Sequence, residues 1–128
     1  MPLSLEELTN VFKALSDATR LRVVNLLRTQ SLCVGDLQAA LGLSQPVISK
    51  HLAVLRGADL VRADRQGHKI CYSLARAPFL NYPLSKFLAE VSPFSRVLAT
   101  DAQKLSDFKG DGASCPPCDE ERARSGPV

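Results

Sequence analysis

Four cysteines give this chain its most distinctive chemistry. Two of them form a C-x-x-C pair, Cys115-Pro116-Pro117-Cys118, whose spacing lets both sulfurs bind one ion. The two prolines restrict the loop between the sulfurs and lower the entropy lost on binding. We interpret the pair as ligands for a soft metal or metalloid ion. Thiol–disulfide sensing, or no role at all, are the alternatives.

The other two cysteines lie far from this pair in the sequence. Cys33 could supply a third sulfur if the C-terminal segment folds back onto it, or it could be a small apolar residue buried at a helix start. Cys71 falls between Ile70 and Tyr72 on a predicted strand, where alternation turns it away from both neighbours. Cys71 is therefore interpreted as a bystander.

Length and composition favour one small helical domain. The chain has 128 residues, of which 45% are hydrophobic but only 5% aromatic, which is more typical of packed helices than of a β-sandwich. A domain of this size gains from burying further surface in a dimer.

Positive charge is concentrated in one segment. Between Ser44 and Arg76 there are six Lys or Arg against two Asp, a local net charge of +4, while the whole chain carries only +3. A basic patch confined to one segment suits phosphate binding, although a solvated charged face would look the same by charge alone.

The sequence shows no targeting or membrane signal. No apolar run approaches the roughly 20 residues that span a bilayer, and the N-terminus has no basic segment followed by an apolar stretch. We therefore expect a cytoplasmic protein, in which cysteines serve as ligands or redox thiols more often than as a disulfide framework.

Periodicity predicts four helices before any strand. Ser4 and Glu7 form a capping box for a helix to Leu15, and Asp17 caps a second helix that reaches about Arg28. A third runs from Val34 to Leu41 and ends at Gly42. The fourth is capped by Ser44, carries Pro46 in its first turn and ends at Gly57.

The remaining pattern predicts a hairpin and a C-terminal helical region. Strands are expected at Leu60–Ala63 and Lys69–Leu74 around a turn at Arg65-Gln66-Gly67. A helix is expected after Pro83, with a break at Ser92-Pro93 and an apolar face continuing to about Phe108. Residues 1–109 are thus predicted to form a DNA-binding and dimerisation domain, and residues 110–128 a flexible tail that contains Cys115 and Cys118.

Two helices followed by a glycine hairpin form a winged helix-turn-helix, a mainly α fold with a β-hairpin wing. With Ile48, Leu52 and Leu55 facing the core, the opposite side of the fourth helix projects outward near its N-terminus. The predicted DNA contacts from that helix are Ser44, Gln45, Pro46, Ser49 and Lys50. Those from the hairpin are Arg65, Gln66, His68 and Lys69. His51 is expected to pack or to face DNA rather than to bind metal. The alternative to a DNA-binding winged helix-turn-helix is an ordinary helical hairpin with a polar face.

Three stretches resemble the ArsR/SmtB family of metal-responsive repressors. They read FKALSDATRLRVVNLL, SLCVGDL and LGLSQPVISKHLAVLRGADLVRADRQGHKICYSL, and together cover roughly Leu5 to Leu74. The resemblance implies a homodimer paired through the first and last helices. It also implies a pseudo-palindromic operator in double-stranded DNA, and it places Gln45, Pro46, Ser49 and Lys50 at the recognition contacts.

This chain matches the metal-binding motifs of the family it resembles only in part. The family's arsenic sensors typically carry Cys-Val-Cys before the recognition helix, whereas this chain has Cys33-Val34-Gly35, and Gln38 stands where a third thiol is often found. The family's other common site uses Asp and His on the last helix to bind zinc, but no His lies between Pro83 and Phe108.

Three function classes follow from these patterns. The first is a repressor released from its operator by arsenite or antimonite on Cys33, Cys115 and Cys118, with cadmium, lead or zinc as other possible ions. The second is a redox-sensing repressor of the same fold, in which Cys115 and Cys118 or Cys33 form a disulfide. The third, a thiol-exchange enzyme, is disfavoured because a thioredoxin-like C-x-x-C opens a helix beside a sheet.

Overall fold

The computed structural model describes residues 4–75 and 78–110. Six α-helices and three short strands are found in this part of the chain. In chain order they are α1 (Leu5–Leu15), α2 (Ala18–Leu27), β1 (Leu32–Cys33), α3 (Val34–Leu41), α4 (Gln45–Gly57), β2 (Val61–Gln66), β3 (Lys69–Leu74), α5 (Pro78–Val91) and α6 (Arg96–Gly110). The arrangement confirms the predicted winged helix-turn-helix.

Local signals fix the ends of the first helices as predicted. The Ser4 hydroxyl accepts from the backbone N–H of Glu7, and the Glu7 carboxylate accepts from the backbone N–H of Ser4, each at 3.0 Å. Asp17 caps α2 by accepting from the N–H of Arg20 at 3.1 Å. Each bond satisfies a donor that the first turn of a helix would otherwise leave unpaired.

The turn between α3 and α4 depends on one glycine. Gly42 ends α3 in the left-handed conformation at φ 70°, which a residue without Cβ adopts at little cost. Ser44 then occupies the N-cap of α4 and Pro46 its first turn, as predicted, although the Ser44 side chain makes no capping hydrogen bond.

The wing is part of a three-stranded antiparallel sheet with strand order β1-β3-β2. Gln66 pairs with Lys69, so the turn lies at Gly67-His68, with Gly67 at φ 64°. The prediction of a turn at Arg65-Gln66-Gly67 is therefore too early in the chain, and the predicted first strand is too short. β1 was missed altogether because two residues are too few to show an alternating pattern.

The C-terminal helices differ from the prediction at one boundary. α5 begins at Pro78, so Pro83 lies inside it instead of starting it. The break at Ser92-Pro93 is confirmed as a 3₁₀ turn over Ser92–Phe94, after which α6 runs to Gly110. Residues 111–128, which hold most of the predicted tail, lie outside the described part of the chain.

One apolar core joins both ends of the domain. Fully buried residues come from α2, β1, α3 and α4, and Leu88 of α5 and Leu105 of α6 pack against the same cluster. The buried members of α4 are Ile48, Leu52 and Leu55, as its periodicity predicts. Within residues 4–75 and 78–110, no helical segment has the length and hydropathy of a membrane span.

A buried ion pair fastens α2 to α6. Arg22 donates from Nε and Nη2 to the two carboxylate oxygens of Asp101, at 2.8 and 2.9 Å. These bonds raise the pKa of the guanidinium. Only 2% of the Asp101 side chain is exposed, so Arg22 is what makes a charged carboxylate tolerable there. The pair ties the C-terminal helix to the helix that packs behind α4.

Candidate nucleic-acid interface and thiol site

The start of α4 presents a polar surface to solvent. Ser44, Gln45, Pro46 and Lys50 are exposed, and Ser49 is half-buried. Gln45 Nε2 donates to Ser49 Oγ at 2.9 Å, which leaves the amide oxygen of Gln45 and the remaining amide hydrogen for other partners. Hydrogen-bonding groups and a cation at an exposed helix N-terminus are suited to base edges and phosphates.

The wing tip adds more positive charge. Arg65, His68 and Lys69 are exposed and Gln66 is half-buried. These residues flank the tight turn at Gly67, so their side chains are held on a short and rigid hairpin.

A groove of about 530 Å³ brings the two polar surfaces together. Gln45 and Ser49 line it from α4, and His68 and Lys69 from the wing. Cys33 and Asp36 line the same groove from the start of α3. Predicted DNA contacts and one predicted thiolate ligand therefore share a single surface depression, which sequence spacing alone did not show.

Cys33 occupies the N-cap of α3 and is a free, half-buried thiol. Its backbone N–H donates to Asp36 Oδ2 at 3.0 Å, and its thiol donates to the same oxygen at 3.3 Å. Asp36 is buried. A Cβ built on Gly35 would lie 3.7 Å from Cys33 Sγ, so the position that the family's arsenic sensors fill with a second cysteine borders this thiol.

Cys71 is fully buried and disulfide-bonded, so its interpretation as a bystander is wrong. It lies directly opposite Cys33 in the pairing of β1 with β3. No sequence pattern indicated this register, because β1 itself was not predicted. Cys115 and Cys118 lie outside the described residues, and within the described ranges no group of three or more His, Cys, Asp or Glu is placed to hold a metal ion.

His51 packs inside the domain, in line with its expected packing role. Arg20 Nη1 lies 3.3 Å from His51 Nδ1, and Asp17 Oδ1 lies 3.9 Å from the same nitrogen. The hydrogen bond from the backbone N–H of Arg20 and the positive charge of the Arg20 guanidinium lower the pKa of Asp17. This link between α2 and α4 was missed by sequence reasoning, since no local pattern connects residues so far apart.

Comparison with known proteins agrees with the geometry. Residues 17–63 match the family described as "Bacterial regulatory protein, arsR family". The arsenic resistance transcriptional regulator ArsR2 of Pseudomonas putida is 47% identical over 103 residues, which are 79% of this chain and 88% of that protein. The SmtB homologue of Synechocystis, a transcriptional repressor, is 40% identical over 76 residues, or 59% of this chain, and the match spans only 58% of that relative.

A solved structure gives the same result for the fold. Reduced HlyU from Vibrio cholerae superimposes with a TM-score of 0.60 at 25% sequence identity, covering 71% of this chain and 90% of that one. The chain therefore belongs to the ArsR/SmtB family of winged-helix transcriptional regulators, which bind DNA and are not enzymes.

Proposed function

We propose that this protein is a homodimeric repressor that leaves its operator when cysteine thiolates capture trivalent arsenic or antimony. The observation that carries the proposal is the groove shared by Cys33 with Gln45, Ser49, His68 and Lys69. An ion held at Cys33 would lie beside the proposed DNA contacts, so its binding and DNA binding would influence each other directly.

The proposed DNA contacts divide into two kinds. Gln45 and Ser49 offer hydrogen-bonding groups to base edges, whereas Lys50, Arg65 and Lys69 offer charge to phosphates. Ser44, Pro46, Gln66 and His68 complete the proposed surface. Since phosphate contacts fix position and base contacts select sequence, replacing a residue of each kind should have different consequences.

We expect Lys50→Ala to weaken all DNA binding and to lower its salt dependence by about one charge. Gln45→Ala should instead reduce the preference for operator over random DNA, by roughly 1–3 kcal/mol if Gln45 contacts a base through two bonds. Fluorescence anisotropy on both DNAs at several salt concentrations separates the effects, and each variant serves as the control for the other. An unchanged salt slope in Lys50→Ala would contradict its assignment to phosphate.

The proposed inducer site combines Cys33 with Cys115 and Cys118. Arsenite and antimonite each bind three thiolates in a pyramid, while cadmium, lead and zinc also accept thiolates and are the alternative inducers. The similarity to an arsenic resistance regulator supports the arsenic assignment. Here two tail sulfurs take the place of the Cys-Val-Cys pair that Gly35 interrupts.

Replacing the tail cysteines should separate DNA binding from induction. Cys115→Ser with Cys118→Ser is expected to bind operator normally but to lose release by arsenite or antimonite. Release of the unmodified protein from operator by arsenite or antimonite should weaken as pH falls, because a thiol must lose its proton to bind the ion. Cys33→Ser is the matched single change: loss of release supports a three-sulfur site, and normal release removes Cys33 from it.

The second candidate function is a redox-sensing repressor, in which Cys115 and Cys118 or Cys33 form a disulfide. The observation that favours it is the disulfide at Cys71, which lies on the strand directly opposite Cys33. Release of operator by peroxide but not by arsenite, lost in the double tail variant, would favour this function over the first.

A homodimer is proposed from the apolar surface at the two ends of the chain. Leu5 and Phe12 of α1 are exposed, as are Phe87 of α5, Phe94 and Val97, with Phe94 reaching 92%. Val11 of α1 and Leu88 of α5 instead pack within the domain. Exposed rings at this density are typical of an interface.

We expect a dimer at micromolar concentration by analytical ultracentrifugation. Phe12→Glu should shift it toward monomer and weaken operator binding together, because two half-sites are then no longer held by one assembly. Glu6→Lys, an exposed charge change on the same helix, is the matched control. A monomeric protein that binds operator with full affinity would contradict the proposal.

A further inference from the structure

A cleft of about 400 Å³, named here the α2–α6 cleft, opens between the end of α2 and the C-terminal half of α6. Its apolar walls include Leu26, Ala102 and Leu105, and its polar groups include Asn25, Arg28 and Ser106. None of the described residues that line it also lines the groove beside the proposed DNA contacts. Sites for small molecules commonly have this size and combine apolar walls with a few polar groups.

Asn25 has a buried amide group with an unused donor. Only 2% of the residue is exposed, and its Oδ1 accepts from Arg28 Nε at 2.9 Å. Because a guanidinium can only donate, the oxygen must face Arg28, and the Nδ2 hydrogens are left over. Throughout residues 4–75 and 78–110, no acceptor is found for this Nδ2 group. A buried donor without an acceptor is costly, so the cleft is suited to a bound acceptor.

Arg28 brings a positive charge to the same cleft. The residue is half-buried, and its Nη2 donates to Ser92 Oγ at 3.3 Å. Both acceptors of Arg28, the Asn25 amide oxygen and the Ser92 hydroxyl, are uncharged, and no carboxylate of the described residues forms an ion pair with it. The Nη1 hydrogens and the second Nη2 hydrogen therefore remain for an anion, which a guanidinium binds through two parallel bonds when the anion is a carboxylate.

The ion pair between Arg22 and Asp101 holds the two sides of the cleft in place. Asn25 lies three residues after Arg22, and Leu105 lies four residues after Asp101, so each shares a helix face with a member of the pair. Both Asp101 oxygens are occupied by Arg22, which leaves this carboxylate unavailable to Arg28. A site that is formed before the ligand arrives loses less entropy on binding.

We propose that the α2–α6 cleft binds a small organic molecule that carries a carboxylate. The carboxylate accepts from the Arg28 guanidinium and the Asn25 amide, and the apolar remainder packs on Leu26 and Leu105. The volume favours an organic acid over an inorganic oxyanion, because an ion the size of phosphate would leave most of about 400 Å³ unfilled. This site goes beyond the proposed function, since it requires neither a thiolate nor DNA.

Titration of the isotope-labelled, reduced, full-length protein by two-dimensional NMR tests the site. The probes are benzoate and hexanoate, which join a carboxylate to an aromatic ring or to a linear chain. With at least one of them we expect saturable shifts, largest for the side-chain amide of Asn25 and the Nε–H of Arg28. Benzyl alcohol, which has the ring without the charge, and inorganic phosphate, which has charge without an apolar part, should each bind about ten-fold more weakly or less.

Two variants make the result specific to the cleft. Asn25→Asp keeps an acceptor for Arg28 and adds a carboxylate that pairs with it, so the affinity for the bound probe should fall by about ten-fold or more. Ala102→Leu fills the cleft from an exposed position on α6 without removing a polar group, and should weaken binding similarly. Lys104→Gln removes an exposed charge from the same helix outside the cleft and is the matched control, expected to bind as the unmodified protein does.

The absence of saturable shifts at Asn25 and Arg28 with both carboxylates, up to millimolar concentration, would overturn the proposal. Phosphate binding as tight as that of the organic acids would overturn the assignment to an organic molecule. Unchanged affinity in Ala102→Leu would also overturn it, because the probe would then bind elsewhere. No arm of the experiment involves arsenite or operator, so the cleft and the proposed function can fail separately.

Discussion

Replacing Arg22 by Ala is expected to lower the free energy of unfolding by about 3–5 kcal/mol. The change leaves the Asp101 carboxylate, only 2% exposed, without the two hydrogen bonds that now satisfy it. An uncompensated buried charge is among the most costly single defects in a small domain. Urea denaturation of the protein at fixed concentration measures the loss.

Replacing the other member of the ion pair provides the control for this prediction. Asp101→Ala should cost less, because the Arg22 side chain is 24% exposed and can regain water. The double variant should be more stable than the sum of the single losses predicts, as expected for two groups that share one interaction. A loss below about 1 kcal/mol in Arg22→Ala is the size typical of a surface ion pair. It would show that water reaches the Asp101 carboxylate in the folded protein.

Replacing Gly35 by Cys is expected to lower the arsenite concentration for half-release of operator by about ten-fold or more, since a second local thiol raises the effective ligand concentration. The new Cβ would lie 3.7 Å from Cys33 Sγ, an ordinary contact distance, with no clash to relieve. Gly35 is an exposed helical residue, so the substitution should also be tolerated by the fold.

Gly35→Ala separates the effect of the added thiol on the arsenite response from the effect of a more stable helix. It adds the same Cβ without a sulfur and should leave the arsenite response as it is in the unmodified protein. Combining Gly35→Cys with Cys115→Ser and Cys118→Ser should restore part of the release that the tail variant loses. Equal responses in Gly35→Cys and Gly35→Ala would contradict a thiolate site at the start of α3.

Local signals explain which parts of the fold could be predicted. The Ser4–Glu7 capping box and the glycine at position 42 act within a few residues, so the ends of α1 and α3 followed directly from their neighbours. The start of α5 could not be placed because a proline normally begins or breaks a helix, whereas Pro83 lies within one.

The candidate site likewise combines features that local patterns predict with features that depend on contacts between distant segments. The periodicity of Ile48, Leu52 and Leu55 fixed which face of α4 is buried, and therefore which residues are exposed at its start. The groove, the Cys33–Cys71 register and the Arg22–Asp101 pair each join segments far apart in the chain. Contacts of that kind depend on how the elements pack, and no spacing within one element reveals them.

In the proposed function, metalloid binding and operator binding oppose each other on one protein. Thermodynamic linkage makes this claim reciprocal: the factor by which arsenite weakens operator binding must equal the factor by which operator weakens arsenite binding. A coupling of about 1–3 kcal/mol, or roughly 5–150-fold, is typical of such regulators.

The most direct test measures the arsenite affinity of the reduced protein by isothermal titration calorimetry, with and without saturating operator DNA. Arsenite should bind the operator-bound protein more weakly, by the same factor that anisotropy gives for the loss of operator affinity in saturating arsenite. Random DNA of equal length, at a concentration that leaves most protein free, should have no such effect. Equal arsenite affinity in the free and operator-bound protein would contradict the proposed function.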